Sequence, residues 1–334
     1  MKVLIIKTSS LGDVIHTLPA LTDAVAAIPG IRFDWVVEEG FSEIPAWHPA
    51  VDQVIPVAIR RWRKSFLQTW KTGEWKQFKQ SLAAQKYDAI IDAQGLIKSA
   101  LLTRKAHGPK FGLDKDSARE PLSSRFYDKP QPVRKDQHAV ERVRQLFALS
   151  LGYALPKTTG QFSLDKSIFN NSLMGNTAYT VFIHGTTWGS KHWPDEYWCE
   201  LAAKVNDAGV QVVLLWGNGK EKIRAENIAR SVTNAKVLPK LSLAEVAGVI
   251  CGAKAVVAVD TGLGHLTAAL ETPAVSLYGP TSPAKVGAYG ENQIHLTLEQ
   301  CPEGDYPPTE PELFAPMTPE FVWKSLGDIL DEPR

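Results

Sequence analysis

Three short stretches of this 334-residue chain gather hydroxyls, glycines, a lysine and carboxylates of the kinds that acid–base chemistry and anion binding use. The first is Lys7-Thr8-Ser9-Ser10-Leu11-Gly12-Asp13, which follows the apolar run Val3–Ile6. It matches neither the dinucleotide glycine fingerprint nor a Walker A loop. It does bring hydroxyls, a glycine and a carboxylate to a helix start. Asp13 there reads either as an N-cap or as a general base, and the two roles are compatible. The second stretch, His184 to Pro194, offers Thr186, Thr187 and Lys191 ahead of a helix, which suits an anion. An ordinary polar loop with a solvated lysine has the same composition. The third is Asp260-Thr261-Gly262-Leu263-Gly264-His265. Its first backbone N–H groups would point at a phosphate, and Asp260 could accept sugar hydroxyls. Asp260 also reads as an N-cap, and a lone His265 more often packs in a core.

Charge adds a fourth feature. The chain carries 37 basic and 36 acidic side chains, but they are unevenly placed. Residues 1–55 sum to −4, residues 56–144 to +11 and residues 145–334 to −6. The basic part opens with Arg60-Arg61-Trp62-Arg63-Lys64. Four cations in five residues repel one another, so a polyanionic partner is expected in place of a merely solvated face. Trp62, Trp70 and Trp75 could stack on nucleic-acid bases or sit at a phosphorylated lipid surface, and composition alone leaves both open. Asp114-Lys115-Asp116 has a spacing used for divalent cations but lacks converging carboxylates, so no metal is expected. Cys199, Cys251 and Cys301 form no pairable framework, which points to a reducing compartment. No apolar run approaches a membrane span.

The elements that must position these groups alternate between short apolar strands and amphipathic helices. Strands are predicted at Val3–Ile6, Phe33–Val37, Val51–Val57 and Asp88–Ala93, with helices from Val14 to about Ile28, at Leu96–Arg104 and at His138–Leu149. A second series runs from Tyr179 to Tyr278. Its strands are Thr180–Ile183, Gln211–Trp216, Ala255–Val259 and Ala274–Tyr278. Its helices are Pro194–Asp207, Lys220–Ser231, Leu243–Cys251 and Thr261–Leu270. Strands apolar throughout suit parallel sheets covered on both faces. The polar stretch 153–176 reads as a linker, and the tail from Glu299, with nine acidic and two basic residues, closes in a helix from Pro319 to Leu330. The fold class is therefore α/β, with two doubly wound, Rossmann-like domains facing across a cleft.

The ordered set of motifs resembles glycosyltransferase family 9. It comprises the run Lys7 to Leu21, Trp35-Val36-Val37-Glu38-Glu39-Gly40, Ile59 to Lys64, Asp92-Ala93-Gln94-Gly95-Leu96, Ala118-Arg119-Glu120-Pro121, Lys191 to Pro194 and Asp260-Thr261-Gly262. The resemblance covers roughly residues 1–298, and Gly264 stands where serine is expected. It implies a GT-B fold with an acceptor domain at 1–160 and a donor domain at 161–316, and a C-terminal helix (about 317–334) packing back on the first. It implies inverting, metal-independent transfer of L-glycero-D-manno-heptose from ADP-heptose to the inner Kdo of Kdo-lipid A. No cofactor and no nucleic acid are implied. The place of action would be the cytoplasmic face of the inner membrane, peripherally bound. Asp13 would be the base. Lys191 and the Thr261-Gly262 helix N-terminus would stabilise departing ADP. Thr186, Thr187, Glu221, Leu241, Asp260 and His265 would complete the donor site. Lys7, Ser10, Arg60, Arg61, Arg63, Lys64, Lys98, Arg119 and His138 would hold the acceptor. Another heptosyltransferase of the family, a sugar-nucleotide epimerase of the same fold and a non-catalytic basic module are the rival readings.

Overall fold

The computed structural model describes all residues except 66–68, 70, 171, 176, 333 and 334. It divides into two compact units, residues 1–165 and 166–334. The division falls inside the polar stretch expected as a linker, at Asp165 and not at residue 160. At residue 160 the chain is still packed on the first unit: a Cβ on Gly160 would meet the Arg144 and Pro19 side chains at 2.9 Å.

In the first unit, strands β1 (Lys2–Ile6), β2 (Arg32–Glu38), β3 (Val51–Val57), β4 (Ala89–Asp92), β5 (Lys110–Leu113) and β6 (Lys129–Gln131) form one sheet. Their order is β3-β2-β1-β4-β5-β6, with parallel pairing throughout. β1 and β4 are apolar runs buried on both faces, as parallel central strands require. β5 and β6 escaped the sequence reading because they are short and carry Gly112 and Pro130, both poor strand formers. The single helix expected from Val14 to Ile28 is two, Leu11–Ile15 and Leu18–Ala27. Pro19 has no N–H to continue the first helix, and it sits in the first turn of the second, where that donor is not needed.

In the second unit, β7 (Tyr179–Ile183), β8 (Gln211–Leu214), β9 (Ala235–Val237), β10 (Ala255–Val259), β11 (Ala274–Tyr278) and β12 (Gln293–Thr297) give the order β12-β11-β10-β7-β8-β9. Counted from its own first strand, each sheet runs 3-2-1-4-5-6, although no internal repeat is visible in the sequence. That order reverses between β1 and β4, and again between β7 and β10. Loops leaving such neighbouring strands open a crevice at the carboxyl end of the sheet.

The expected return of the C-terminal helix to the first domain is corrected. Pro319–Asp331 packs on the Asp195–Asp207 helix and on β10 and β11, all in the second unit. Its Val322, Leu326 and Leu330 recur every four residues and are buried with Trp193, Trp198, Leu201 and Val257. The segment leading into it is anchored as well. Trp193 Nε1 donates to the Met317 carbonyl at 2.8 Å, and the Tyr197 hydroxyl donates to that of Ala315 at 2.9 Å. Among the described residues, no helix is long and apolar enough to cross a membrane.

Candidate active site

In the first unit, the switch point sets the loop after β4 beside the loop after β1. The fully buried Asp92 carboxylate caps the first of these. It accepts the N–H groups of Gln94 at 2.8 Å and Gly95 at 3.3 Å, and the Tyr127 hydroxyl at 2.8 Å. Burial pushes its carboxyl above the usual value despite those donors. Two glycines make the arrangement possible. Gly95 has a φ of +67°, and a Cβ on Gly112 would overlap the Tyr127 ring. The turn so fixed aims Gln94, whose Oε1 accepts the N–H groups of Thr8 at 3.0 Å and Ser9 at 3.2 Å.

Asp13 stands at the third position of the Leu11–Ile15 helix. The N-cap reading of this residue is corrected: Ser10 is the N-cap, and Asp13 reaches back to it. Its Oδ2 accepts the Ser10 N–H at 2.8 Å and the Ser10 hydroxyl at 2.9 Å, while Oδ1 lies 3.5 Å from Lys7 Nζ. Lys7 is buried and also donates to the Ala93 carbonyl at 3.0 Å, so its ammonium is spent on holding the two loops. Burial lifts the Asp13 carboxyl, but the Lys7 charge and the Ser10 donors outweigh it and hold the group below its ordinary value. The result is an ionised carboxylate, fixed from two sides and 45% exposed. His138 is less available: it caps the Ala139–Leu151 helix, its Nδ1 accepting the Val140 N–H at 3.2 Å, and its ring lies edge-on to His16.

The basic block is not four free, repelling cations. Arg61 is bound to both oxygens of Glu39, at 3.1 and 3.0 Å, and to Glu74. Arg61 and the Trp62 N–H pull the Glu74 carboxyl down to about 2. Glu38 accepts the Arg60 backbone N–H at 3.0 Å. Arg63, Lys64, Lys98 and Arg119 are exposed and have no salt bridge among the described residues. Arg63, Lys98 and Arg119 line one cavity of about 620 Å³. Glu120 ties this cavity to the Gln94 turn, its N–H donating to the Gly95 carbonyl at 3.2 Å and its carboxylate accepting the Ile97 N–H at 2.7 Å. Trp62 and Trp75 pack edge to face, 5.6 Å apart, so they are not open stacking platforms. Trp70 lies outside the described residues. Asp114 spends its carboxylate on the N–H groups of Asp116 and Ser117, as a turn cap.

The second unit repeats the logic at β7 and β10. Lys191 Nζ lies 2.5 Å from Asp260 Oδ2, and both side chains are largely buried. The Thr281 hydroxyl donates to the same oxygen at 2.6 Å, and that of Thr186 to the Asp260 carbonyl at 3.1 Å. Here too the N-cap alternative is corrected. Thr261 takes the N-cap of the Gly262–Ala269 helix, and no side chain caps it. Its first N–H groups follow directly on Asp260, the residue that binds the lysine, a setting suited to a phosphate. Gly264 would accept the expected serine, since a Cβ there meets Ala258 at an ordinary 3.6 Å. His265 is buried within this helix. Glu221 lies on the other side of the β7 loop. Its carboxylate takes the Gly217 N–H at 2.6 Å and the Asn218 side-chain N–H at 2.7 Å, and a Cβ on Gly185 would come within 2.7 Å of it. Thr187 is exposed, and Leu241 is half-buried in the loop before the Leu243–Cys251 helix.

Three supporting residues were given no role from sequence, although Gln94 lies in one of the motifs that carry the resemblance. Gln94 and Thr281 act across strands, and Arg224 joins His192 at 2.6 Å, Asp195 at 2.7 Å and the His184 carbonyl at 3.3 Å. Thr281 had one usable signal, a position just past the end of β11.

The family model for glycosyltransferase family 9 (heptosyltransferase) matches residues 75–312. The chain belongs to that family. It is 61% identical over 297 residues to lipopolysaccharide heptosyltransferase 1 of Pseudomonas aeruginosa, covering 89% of this chain and 83% of the relative. Two solved structures are similar over nearly the whole length. The Escherichia coli heptosyltransferase WaaC with ADP superposes at a TM-score of 0.90 with 51% identity, covering 98% of this chain and all of that one. The same enzyme with ADP-2-deoxy-2-fluoro heptose superposes at 0.87 with 51% identity, covering 98% and 99%. The GT-B fold expected of the chain is the fold of these family members.

Proposed function

We propose that this family 9 enzyme transfers L-glycero-D-manno-heptose from ADP-heptose to the inner Kdo of Kdo-lipid A, in lipopolysaccharide core assembly. The observation that supports the assignment is what each switch point holds within its own unit: a braced carboxylate in the first, and a lysine bound to the aspartate that precedes an uncapped helix N-terminus in the second.

The reaction is a single displacement. The acceptor hydroxyl hands its proton to an Asp13 carboxylate oxygen, and its own oxygen bonds to the anomeric carbon. The bond from that carbon to the diphosphate breaks with its electron pair, which leaves on ADP, and the configuration inverts. Asp13 is held below its ordinary value, so it is a weak base toward a resting alcohol. It becomes competent as that hydroxyl acidifies in the transition state. Lys191, the Thr186 and Thr187 hydroxyls and the N–H groups at Thr261-Gly262 meet the charge growing on ADP. Asp260 takes heptose hydroxyls, Glu221 takes the ribose, and Leu241 and His265 wall the donor. Arg60, Arg63, Lys64, Lys98 and Arg119 meet acceptor carboxylates and phosphates, where the planar fork of arginine is well suited. Lys7, Ser10 and Arg61 orient the groups around them. The protein works at the cytoplasmic face of the inner membrane without spanning it.

The test is ADP release from ADP-heptose with and without Kdo-lipid A. ADP formed only in the presence of acceptor, with a heptosylated product by mass spectrometry, is the expected result. Turnover of the sugar nucleotide without acceptor would instead identify an epimerase or hydrolase. Phosphate binding without ADP release would identify a non-catalytic module.

A further inference from the structure

We infer that a groove next to the cation pocket of the first unit seats an acyl chain of the lipid acceptor. The inference rests on the acceptor assignment above and adds the site for its hydrocarbon part. The groove encloses about 740 Å³, within the usual range for ligand sites. Ile59, Trp62, Trp75, Leu101 and Leu102 form its apolar surface. Arg63, Lys98, Arg104 and Lys105 form its charged edge.

Its chemistry is that of a hydrocarbon site. The Thr69 hydroxyl, also in the lining, is spent on the Ser65 carbonyl at 3.1 Å. The Trp62 N–H is spent on Glu74 at 2.8 Å. Neither donor is left for an occupant, so among the described residues the apolar wall recognises carbon and the edge recognises anions. Leu101 is 45% exposed and Trp75 is 36% exposed, a cost that an apolar occupant removes.

Its position fits the same molecule. The groove shares Arg63, Lys98 and Leu101 with the 620 Å³ pocket, which adjoins the Gln94 turn and through it the Asp13 loop. Along the Ile97–Thr103 helix, Lys98 and Leu101 or Leu102 are three and four residues apart and so share a face. Lys105 follows one turn past Leu101. Moving away from the reacting loop, the surface offers carboxylate, then cations, then an apolar channel edged by cations. An acceptor with an anionic sugar head, phosphates and acyl chains presents the matching order.

The experiment compares two acceptors, acylated Kdo-lipid A in detergent micelles and its fully deacylated derivative. It uses the parent and Leu101→Asp. The position is exposed, so the fold is not at stake. The expected result is a rise of roughly tenfold in KM for the acylated acceptor at unchanged kcat, about what keeping two methylenes in water costs. Kinetics with the deacylated acceptor should stay within about twofold of the parent. Equal effects on both acceptors, or none on either, would overturn the inference. So would an equal loss of binding to phosphatidylglycerol vesicles without acceptor, which would make the groove a general membrane-contact surface. Failure of the parent to use either acceptor would count against the transfer reaction itself.

Discussion

Replacing Asp13 by asparagine separates a catalytic base from a helix-capping group. Asparagine keeps the shape, and its carbonyl oxygen still accepts from the Ser10 N–H and hydroxyl that now bind at 2.8 and 2.9 Å. What disappears is the charge 3.5 Å from Lys7 Nζ and the ability to take up a proton. Because Asp13 is 45% exposed, the ion pair contributes at most about 1 kcal/mol to stability. Loss of general-base catalysis costs about 10²- to 10⁴-fold in rate, or about 2.7 to 5.5 kcal/mol of barrier. The barrier effect is therefore several times the folding effect. The expected Asp13→Asn protein melts within a few degrees of the parent, binds ADP as the parent does, and turns over at least about 100-fold more slowly. Initial rates of ADP release with a deacylated acceptor, a thermal melt and an ADP titration measure the three quantities. Turnover within about tenfold of the parent at an unchanged melting temperature would refute the base assignment. A collapse of the melting temperature would show that the side chain is chiefly structural.

Lys7→Met leaves the burial of Asp13 unopposed by a nearby positive charge, so the carboxyl rises and the acid limb of kcat/KM moves to higher pH; a limb that stays in place would remove Lys7 from the argument. Thr281→Val takes away the 2.6 Å bond to Asp260 and should raise the donor KM about tenfold, by analogy with hydrogen bonds to charged groups, while Thr281→Ser restores it. His48 and His184 are buried, and burial depresses them to about 4 and about 3. Unfolding exposes them to protons at their ordinary value, so each lowers stability by about 1.4 kcal/mol per pH unit as pH falls below about 6.5. Urea titrations at pH 7 and pH 5 should show that slope, and it should shrink in His184→Asn if the variant folds and is compared with itself at the two pH values. Arg144, nearly fully buried and bonded to Asp23 at 2.7 Å, should cost about 3 to 5 kcal/mol when replaced by methionine. The exposed Arg61, treated in the same way, should change stability far less in the same urea titration.

The sequence by itself determined the elements and the reactive residue types. Val3–Ile6 and Ala255–Val259 are apolar throughout, which suits central parallel strands. The polar loops that follow them carry Asp13 and Asp260 because loops, and not buried strands, can hold such groups in a crevice. The ordered motifs also carried the family. Local pattern could not reach the weak strands at Lys110–Leu113 and Lys129–Gln131, where Gly112 serves the Tyr127 ring instead of β propensity. Nor could it place the C-terminal helix: Val322, Leu326 and Leu330 announce an apolar face but not which surface covers it.

Tertiary structure decided the partnerships. Gln94 meets Thr8 and Ser9 across 85 or more residues, and Lys191 meets Asp260 across 69, because β1 lies beside β4 and β7 beside β10. Tertiary packing also turned the basic block from four like charges into a neutralised Arg61, by bringing Glu39 and Glu74 to one guanidinium, beside an Arg63 and a Lys64 that have no salt bridge among the described residues. A carboxylate's side-chain type sets its intrinsic acidity. Its neighbours in space set its charge state and what it can touch, and those neighbours follow from strand order.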